Sequence, residues 1–509
     1  MSSELPSRRL SVAVFIYDYS TSGVRYSGGR YHALLLSYAI AHGDIDVTVV
    51  SDSQSAFVAD LEKTYGADSV TFVASPEYDH RAIVGRFDYV FIAPTGGFNP
   101  AFYACAESVA GRSGATLVLI NYESANWFNS LAPTPDDLAV WDYWRRIVVR
   151  GGVVLSSTHE SDSYARSYYQ ADRQPLEFAQ CYPPLNSQTV EQVPVEIGKD
   201  GALLSFVRLF HDHKGGADLL ALPSSVFENR VLRLIVGGRV DPAFCSQLSA
   251  KLQRCGGRLE VHSQVSELEK FSLLARSNLL LFPSRFEGFG YPPLEAALVG
   301  TDSVCYDLPV LRETLGEYGR FAPMGDLRAF GQEIHRAIAS PSPPAALREQ
   351  ARRVAGFGVV SRAICAQLRA WRAAPTHPHA NGYEIHWGPW TADELSEERT
   401  TCVHDEAPMP SYGTVREVRP DDLTVEVVFW HRSPIASVAL LRGNVPVASG
   451  PAVVNPQDDH WIRVEVELRL QRRHLGHRLR ILASKPTGDA ILLNQQFVIF
   501  GADDRHRLA

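Results

Sequence analysis

Lysine is scarce in this chain. Only six of its 49 basic residues are lysine, set against 57 acidic residues and a net charge of −8. A mildly acidic chain without a basic tract is a poor partner for nucleic acid, whose binding rests on neutralising phosphates. Seven cysteines (Cys105, Cys181, Cys245, Cys255, Cys305, Cys365 and Cys402) are scattered with no CxxC pair. An odd number without metal-ligand spacing points to reduced thiols and a cytoplasmic location. No apolar run approaches the roughly 20 residues that span a bilayer, so no integral membrane segment is expected. The opening "MSSELPSRRLSVAVFIYDYS" lacks the apolar core and cleavage site of a signal peptide and reads as a polar lead into a strand. Repeats of solenoid length and low-complexity tracts are also missing.

What remains is ordinary globular material: 509 residues, 45% hydrophobic and 21% charged. That length predicts two to four domains. From residue 10 to about 375, short apolar runs alternate with amphipathic stretches. "LSVAVFIYD" (10–18), "DVTVVS" (46–51), "YVFIAP" (89–94), "ATLVLINYE" (115–123) and "GVVLSST" (152–158) read as buried strands. "GGRYHALLLSYAIAHG" between the first two has helical spacing. Repetition of this kind predicts a parallel, doubly wound sheet. The proline-rich "CYPPLNSQTVEQVPVEIG" (181–198) reads as a linker, after which the pattern restarts with strands at 202–210, 231–238, 258–263, 278–283 and 302–307. The fold class is therefore α/β, with two Rossmann-like domains at 1–185 and 186–375, the second ending in a closing helix at 361–374. After "PTHPHANG" (375–382) the hydrophobic period becomes two. "WIRVEVELRL" puts Ile462, Val464, Val466, Leu468 and Leu470 on one face, and residues 383–509 read as an antiparallel β-sandwich.

The chemistry concentrates in "LLLFPSRFEGFGYPPLEAALVG". Pro292 and Pro293 start a helix, where a missing N–H costs nothing. Glu287 then lies in the loop at the carboxyl end of a parallel strand, the place where doubly wound sheets bind ligands. Glu295 falls in the first turn of the helix, whose free N–H groups suit phosphate. Glycines 288 and 290 let backbone approach a ligand closely, and carboxylates beside a phosphate site accept hydrogen bonds from sugar hydroxyls. A plainer alternative makes Glu295 a dipole partner and Glu287 a loop acid. A second element, "SFVRLFHDHKGG", places Arg208 after the domain's first strand and Lys214 six residues on, followed by two glycines. Fixed cations there point into the same crevice and suit a diphosphate.

Together these residues resemble the retaining glycosyltransferases of the GT-B fold, family four. Arg208, the step to Lys214-Gly215, "LIVGG", the acid–seven–acid spacing of Glu287 and Glu295 and "DLPVLRETLGEYGRF" (307–321) carry the likeness. It spans roughly residues 10–375, strongest over 203–321, and excludes the tail. The resemblance implies that Arg208 and Lys214 hold the donor diphosphate and that Glu295 takes the ribose hydroxyls. Glu287 takes the hydroxyls of the transferred sugar, and backbone N–H groups around Gly288, Phe289 and Gly290 complete the pocket. Gly28 and Gly29, in "SGVRYSGGRYH", then face the phosphates from the first domain. The implied activity is metal-independent hexosyl or deoxyhexosyl transfer from a nucleotide-sugar substrate to a hydroxyl of a glycan, a lipid-linked glycan or a protein, with no cofactor. Arg208, Lys214 and Glu287 are the catalytic set.

The first domain departs from the pattern at "LINYESANW", where Asn121, Tyr122 and Glu123 stand in place of the histidine many relatives carry. Asn121, Glu123 and the later His159 are candidates for sugar or acceptor contacts. "DID" (44–46) spells a metal-binding motif but abuts a strand, and "HDH" (211–213) lacks a third ligand. No metal is expected. Trp387, Trp390, Trp430 and Trp461 in the tail suit either sugar stacking or a sandwich core. For the tail, acceptor binding, self-association and bracing of the other domains stay open. Alternatives for the whole are an epimerase or phosphorylase on the same fold, or an inactive glycan-binding scaffold.

Overall fold

The computed structural model describes residues 9–16, 28–51, 56–66, 69–75, 78, 82–93, 100–124, 127, 152–169, 177–194, 198–207, 212–237, 241–373, 384–388, 403–404, 411–419, 421–431, 433–442, 444–456, 462–475 and 477–500. The first sheet contains β1 (Ser11–Ile16), β2 (Asp46–Ser51), β3 (Thr71–Ala74), β4 (Tyr89–Ala93), β5 (Thr116–Asn121), β6 (Val153–Ser156) and β7 (Glu177–Gln180). Its order is β3-β2-β1-β4-β5-β6-β7, all parallel. Every residue of β4 is buried, as parallel strands covered on both faces require. Helices α1 (Gly28–Ala41), α2 (Ala56–Tyr65), α3 (Pro100–Ser113) and α4 (His159–Tyr169) accompany this sheet. The second sheet repeats the plan with β8 (Leu203–Val207), β9 (Val231–Val236), β10 (Arg258–Ser263), β11 (Leu279–Phe282), β12 (Asp302–Tyr306) and β13 (Arg320–Ala322), in the order β10-β9-β8-β11-β12-β13. In each sheet the strand order reverses beside the first strand, so a crevice opens beyond the carboxyl ends of β1/β4 and of β8/β11.

Residues 181–194 of the proline-rich stretch are more ordered than their composition suggests. Leu185 is fully buried and its N–H donates to the Ala355 carbonyl at 2.7 Å. Asn186 then caps the short helix α5 (Ser187–Glu191). Next come α6 (Gly216–Ala221), α7 (Pro242–Gln253), α8 (Glu267–Arg276), α9 (Tyr291–Leu298), α10 (Pro309–Leu315), α11 (Leu327–Ala339) and α12 (Pro344–Ala355). The closing helix, α13 (Phe357–Ala373), leaves the second sheet and completes the core of the first. Its apolar stripe of Val360, Ile364, Leu368 and Trp371 has helical spacing and joins the cluster formed by β1, β2 and α1. Tyr89 donates to the Leu368 carbonyl at 2.9 Å from below. Each fully buried leucine of this kind contributes about 1.5–3 kcal/mol, so the crossover ties the two domains together.

The tail forms two sheets. One has the order β14-β23-β22-β18-β19, with β15 paired to β23; the other runs β16-β17-β21-β20. Their strands are β14 (Glu384–Gly388), β15 (Val403–His404), β16 (Ser411–Val418), β17 (Asp422–His431), β18 (Ser437–Arg442), β19 (Val445–Pro451), β20 (Val453–Pro456), β21 (Ile462–Gln471), β22 (Arg478–Ser484) and β23 (Ala490–Phe500). The alternation in β21 does what its period predicts: Val464, Val466, Leu468 and Leu470 are buried, facing Leu423, Val425, Val427 and Phe429 of β17 in one core. Strand β16 lies along α3 of the first domain, so the sandwich is docked there. Trp390 and Trp461, and the side chains of Trp387 and Trp430, lie outside the described residues.

Candidate active site

The loops after β8 and β11 meet at the crevice of the second domain. After β8, Asp212–Lys214 forms one tight turn and Gly215 takes φ 74° before α6. A side chain at 215 would be strained by that backbone and would drive into the Pro283 carbonyl that follows β11. The Arg285 N–H donates to the His213 carbonyl at 2.7 Å, and the Ser284 hydroxyl donates to the Phe286 carbonyl at 3.0 Å. These contacts bring Lys214 Nζ to 2.8 Å from Glu287 Oε1, with side-chain exposures of 24% and 10%. Two of the three residues of the expected catalytic set are thereby paired. Arg208 lies outside the described residues, as does His211.

Glu287 leads into the glycine loop, which reaches the first domain. The Gly288 carbonyl accepts from Ser157 Oγ at 3.1 Å and from Thr158 Oγ1 at 3.4 Å, both just beyond β6. A Cβ at 288 would stand 2.6 Å from the Tyr122 carbonyl, so only glycine allows this approach. On its other side Tyr122 donates its hydroxyl to the Gly29 carbonyl at 3.0 Å, and burial raises its pKa. Gly29, Tyr122 and Gly288 thus run in a line across the crevice, with Gly28 and Gly29 at the start of α1. Phe289 is buried against Tyr182 and Tyr291. Gly290, with φ 85°, caps α9.

The helix begins at Tyr291, one residue before the prolines, so Glu295 is its fifth residue and sits in the second turn. That corrects the expected first-turn placement; Gly290 in a left-handed conformation already turns the chain inward. Glu295 is 6% exposed and its Oε1 receives Lys270 Nζ at 2.6 Å. Lys270 also lies 2.7 Å from Glu267 Oε1. Burial raises the Glu295 pKa, with Lys270 opposing and Glu267 adding to the rise. The chain of contacts continues into the other domain. Tyr31 of α1 donates to Glu267 Oε2 at 2.7 Å, Asn186 Nδ2 donates to the Tyr31 hydroxyl at 2.7 Å, and Tyr65 of α2 donates to Asn186 Oδ1 at 2.9 Å. Beside it, His32 stacks on Tyr291 at 3.2 Å between ring centres.

The remaining candidates separate. Asn121 is buried at the end of β5, donating to Ser156 Oγ at 3.2 Å and to the Ser161 carbonyl at 3.4 Å, both within its own domain. Glu123 is half-buried in the following loop. His159 is the exposed first residue of α4, and its N–H donates to Glu313 Oε1 at 2.9 Å. Glu313, on α10, also receives the Glu160 N–H at 3.4 Å and the Tyr182 hydroxyl at 2.9 Å. It is a second strap between domains. Asp44 and Asp46 of "DID" both pair with Arg9. Among the described residues, no three His, Cys, Asp or Glu side chains gather as a metal would need, and no helix is long and apolar enough to cross a membrane.

Sequence reading missed Lys270, Glu267, Tyr31, His32 and Glu313, all of which act across sequence separations that no local motif encodes. The scarcity of lysine was the one usable signal, because Lys270 is among the six.

Comparison with known proteins agrees with this fold. Residues 188–354 match the family model described as glycosyl transferases group 1. A glycogen synthase of Bordetella parapertussis is 35% identical over 101 residues, 20% of either chain. One from Bordetella bronchiseptica is 27% identical over 177 residues, 31% of this chain and 35% of the other. The chain therefore spans only about a fifth to a third of these curated relatives. Among solved structures, Anabaena HepE in complex with UDP-glucose superposes with a TM-score of 0.53 at 12% identity, covering 71% of this chain and all of that one. A glycosyltransferase from Rickettsia africae gives 0.52 at 11% identity, covering 71% and 98%. Residues 188–354 thus match the group 1 glycosyl transferase model, and the two parallel sheets superpose as a GT-B fold.

Proposed function

We propose that the protein is a retaining, metal-independent glycosyltransferase that moves a hexosyl or deoxyhexosyl group from a nucleotide-sugar donor to an acceptor hydroxyl on a glycan, lipid-linked glycan or protein. The observation that carries this reading is the Lys214–Glu287 pair at the carboxyl ends of β8 and β11, facing the Gly29–Tyr122 wall of the first domain. A diphosphate entering there draws the ammonium of Lys214 to itself and leaves the Glu287 carboxylate to accept hydrogen bonds from the sugar. Departure of the nucleoside diphosphate builds charge on its terminal phosphate. A fixed cation aimed at that charge in a site shielded from water stabilises it far better than bulk solvent does. Lys214 fills this role, and Arg208 joins it on the strength of the family resemblance. The leaving phosphate takes the acceptor proton in a same-face displacement, so no protein nucleophile is assigned.

The neighbours lend support: HepE was captured with UDP-glucose, and the partial curated relatives are glycogen synthases. The test is a thermal-shift screen of UDP, GDP, ADP and dTDP with their sugar conjugates, on the wild type and on Lys214→Ala. A nucleotide at a hundred times its Kd adds about 2.7 kcal/mol of stability. One that stabilises the wild type and fails on Lys214→Ala supports the reading. If none stabilises the wild type, the donor site is not there.

A further inference from the structure

Glu295, assigned above to the donor ribose, does not stand by itself: Lys270 and Glu267 share its buried pocket. Two carboxylates and one ammonium are all less than a tenth exposed. A buried carboxylate that is to accept hydrogen bonds from a vicinal diol must stay ionised, since its protonated form spends one oxygen as a donor. Burial works against ionisation. Lys270 lies on Oε1 of Glu295, close enough to hold the negative charge and to fix the carboxylate's orientation. The lysine itself is held by Glu267 one turn earlier on α8, and Glu267 is held by Tyr31 from the first domain.

We infer that Lys270 is a positioning residue for donor recognition: anchored by Glu267, it orients Glu295 as the ionised acceptor that reads the ribose hydroxyls. This rests on the donor reading proposed above. Because Tyr31 belongs to the opposite domain, the anchor is complete only when the two domains are together, which ties ribose recognition to closure. Lysine suits the post. Its flexible stem reaches two carboxylates on neighbouring helices with a single point charge, whereas arginine's planar fork favours one bidentate partner.

Calorimetric titration of the full chain with UDP, ADP and GDP and their 2′,3′-dideoxy counterparts tests it, comparing wild type with Lys270→Met and Lys270→Arg. In the wild type, removing the diol should weaken binding about 10- to 100-fold, the worth of hydrogen bonds to a charged group. Lys270→Met should erase that preference by weakening the ribonucleotide alone, leaving the dideoxy Kd within about twofold of wild type, and Lys270→Arg should recover part of it. A merely structural lysine would weaken both ligands alike. If Lys270→Met does not fold, Lys270→Gln carries the same comparison, its amide still bonding the buried carboxylates without a charge. Preference for the ribonucleotide retained in the uncharged variant overturns the inference while the donor reading stands. Failure of all three nucleoside diphosphates to bind the wild type overturns both.

Discussion

Glu287 and Glu295 each meet a lysine, Lys214 at 2.8 Å and Lys270 at 2.6 Å, yet the two pairs live in different media. The first stands at the mouth of the crevice, where a quarter of the lysine side chain is wet. The second is buried between α8 and α9 with a further carboxylate beside it. Water near the first pair lets either charge be redirected to a ligand at little cost. The second pair has no such freedom, because a buried charge that loses its partner keeps its desolvation penalty. One region is built to exchange partners, the other to keep a geometry.

Removing each lysine exposes the contrast most sharply. Lys270→Ala leaves two buried carboxylates uncompensated and should cost about 3–5 kcal/mol of stability. Lys214→Ala breaks a partly solvated pair and should cost no more than about 1 kcal/mol, while turnover falls about 10²- to 10³-fold as expected for loss of a transition-state donor. Chemical denaturation beside initial-rate assays reads both. Equal stability losses in the two variants would break the comparison.

A smaller effect comes from titration. The Glu295 pKa is raised in the folded chain, so its ionised form weighs against folding at neutral pH. The sign follows: the penalty is full above the folded pKa and vanishes below the unfolded value of about 4.3. Glu295→Gln should therefore melt above wild type at pH 7, and the gap should close as the pH falls through the carboxylate range. A gap that widens toward acid would assign the rise in pKa to some other group. The smallest effect belongs to the strap on the far side of the crevice. Glu313→Gln keeps one acceptor oxygen for the His159 N–H and the Tyr182 hydroxyl but loses the acceptor facing the Glu160 N–H and the charge at the start of α4, the charge being worth about 0.3–1 kcal/mol. A folding free energy lowered by about that amount, together with a higher donor KM at unchanged kcat, is the expected result. An unchanged KM would separate this strap from closure.

Much of the fold was legible because burial writes itself into local patterns. The strands of both parallel sheets are short apolar runs, and β21 alternates with period two. In the parallel sheets β3, β7 and β13 escaped, being three or four residues long with too little apolar pattern to stand out, and in the tail β14, β15, β16, β19 and β20 escaped too. The order of 181–194 escaped as well, since Leu185 is held by a carbonyl 170 positions away. In the site, Lys214, Glu287 and the glycines were readable because loop chemistry at the end of a strand is encoded within a few residues.

The sequence alone determined the two doubly wound sheets, the β-rich tail and the loop position of Glu287, since periodicity and glycine placement are local properties set by backbone sterics and burial. Only the tertiary structure decided which cation each acid keeps, that α13 returns to the first domain, and that Tyr31 and Glu313 reach between domains. Contacts such as Lys270–Glu295 and Tyr89–Leu368 join residues 25 and 279 positions apart. Their choice depends on which surfaces the packed sheets bring within hydrogen-bonding distance, and no run of neighbouring residues records that.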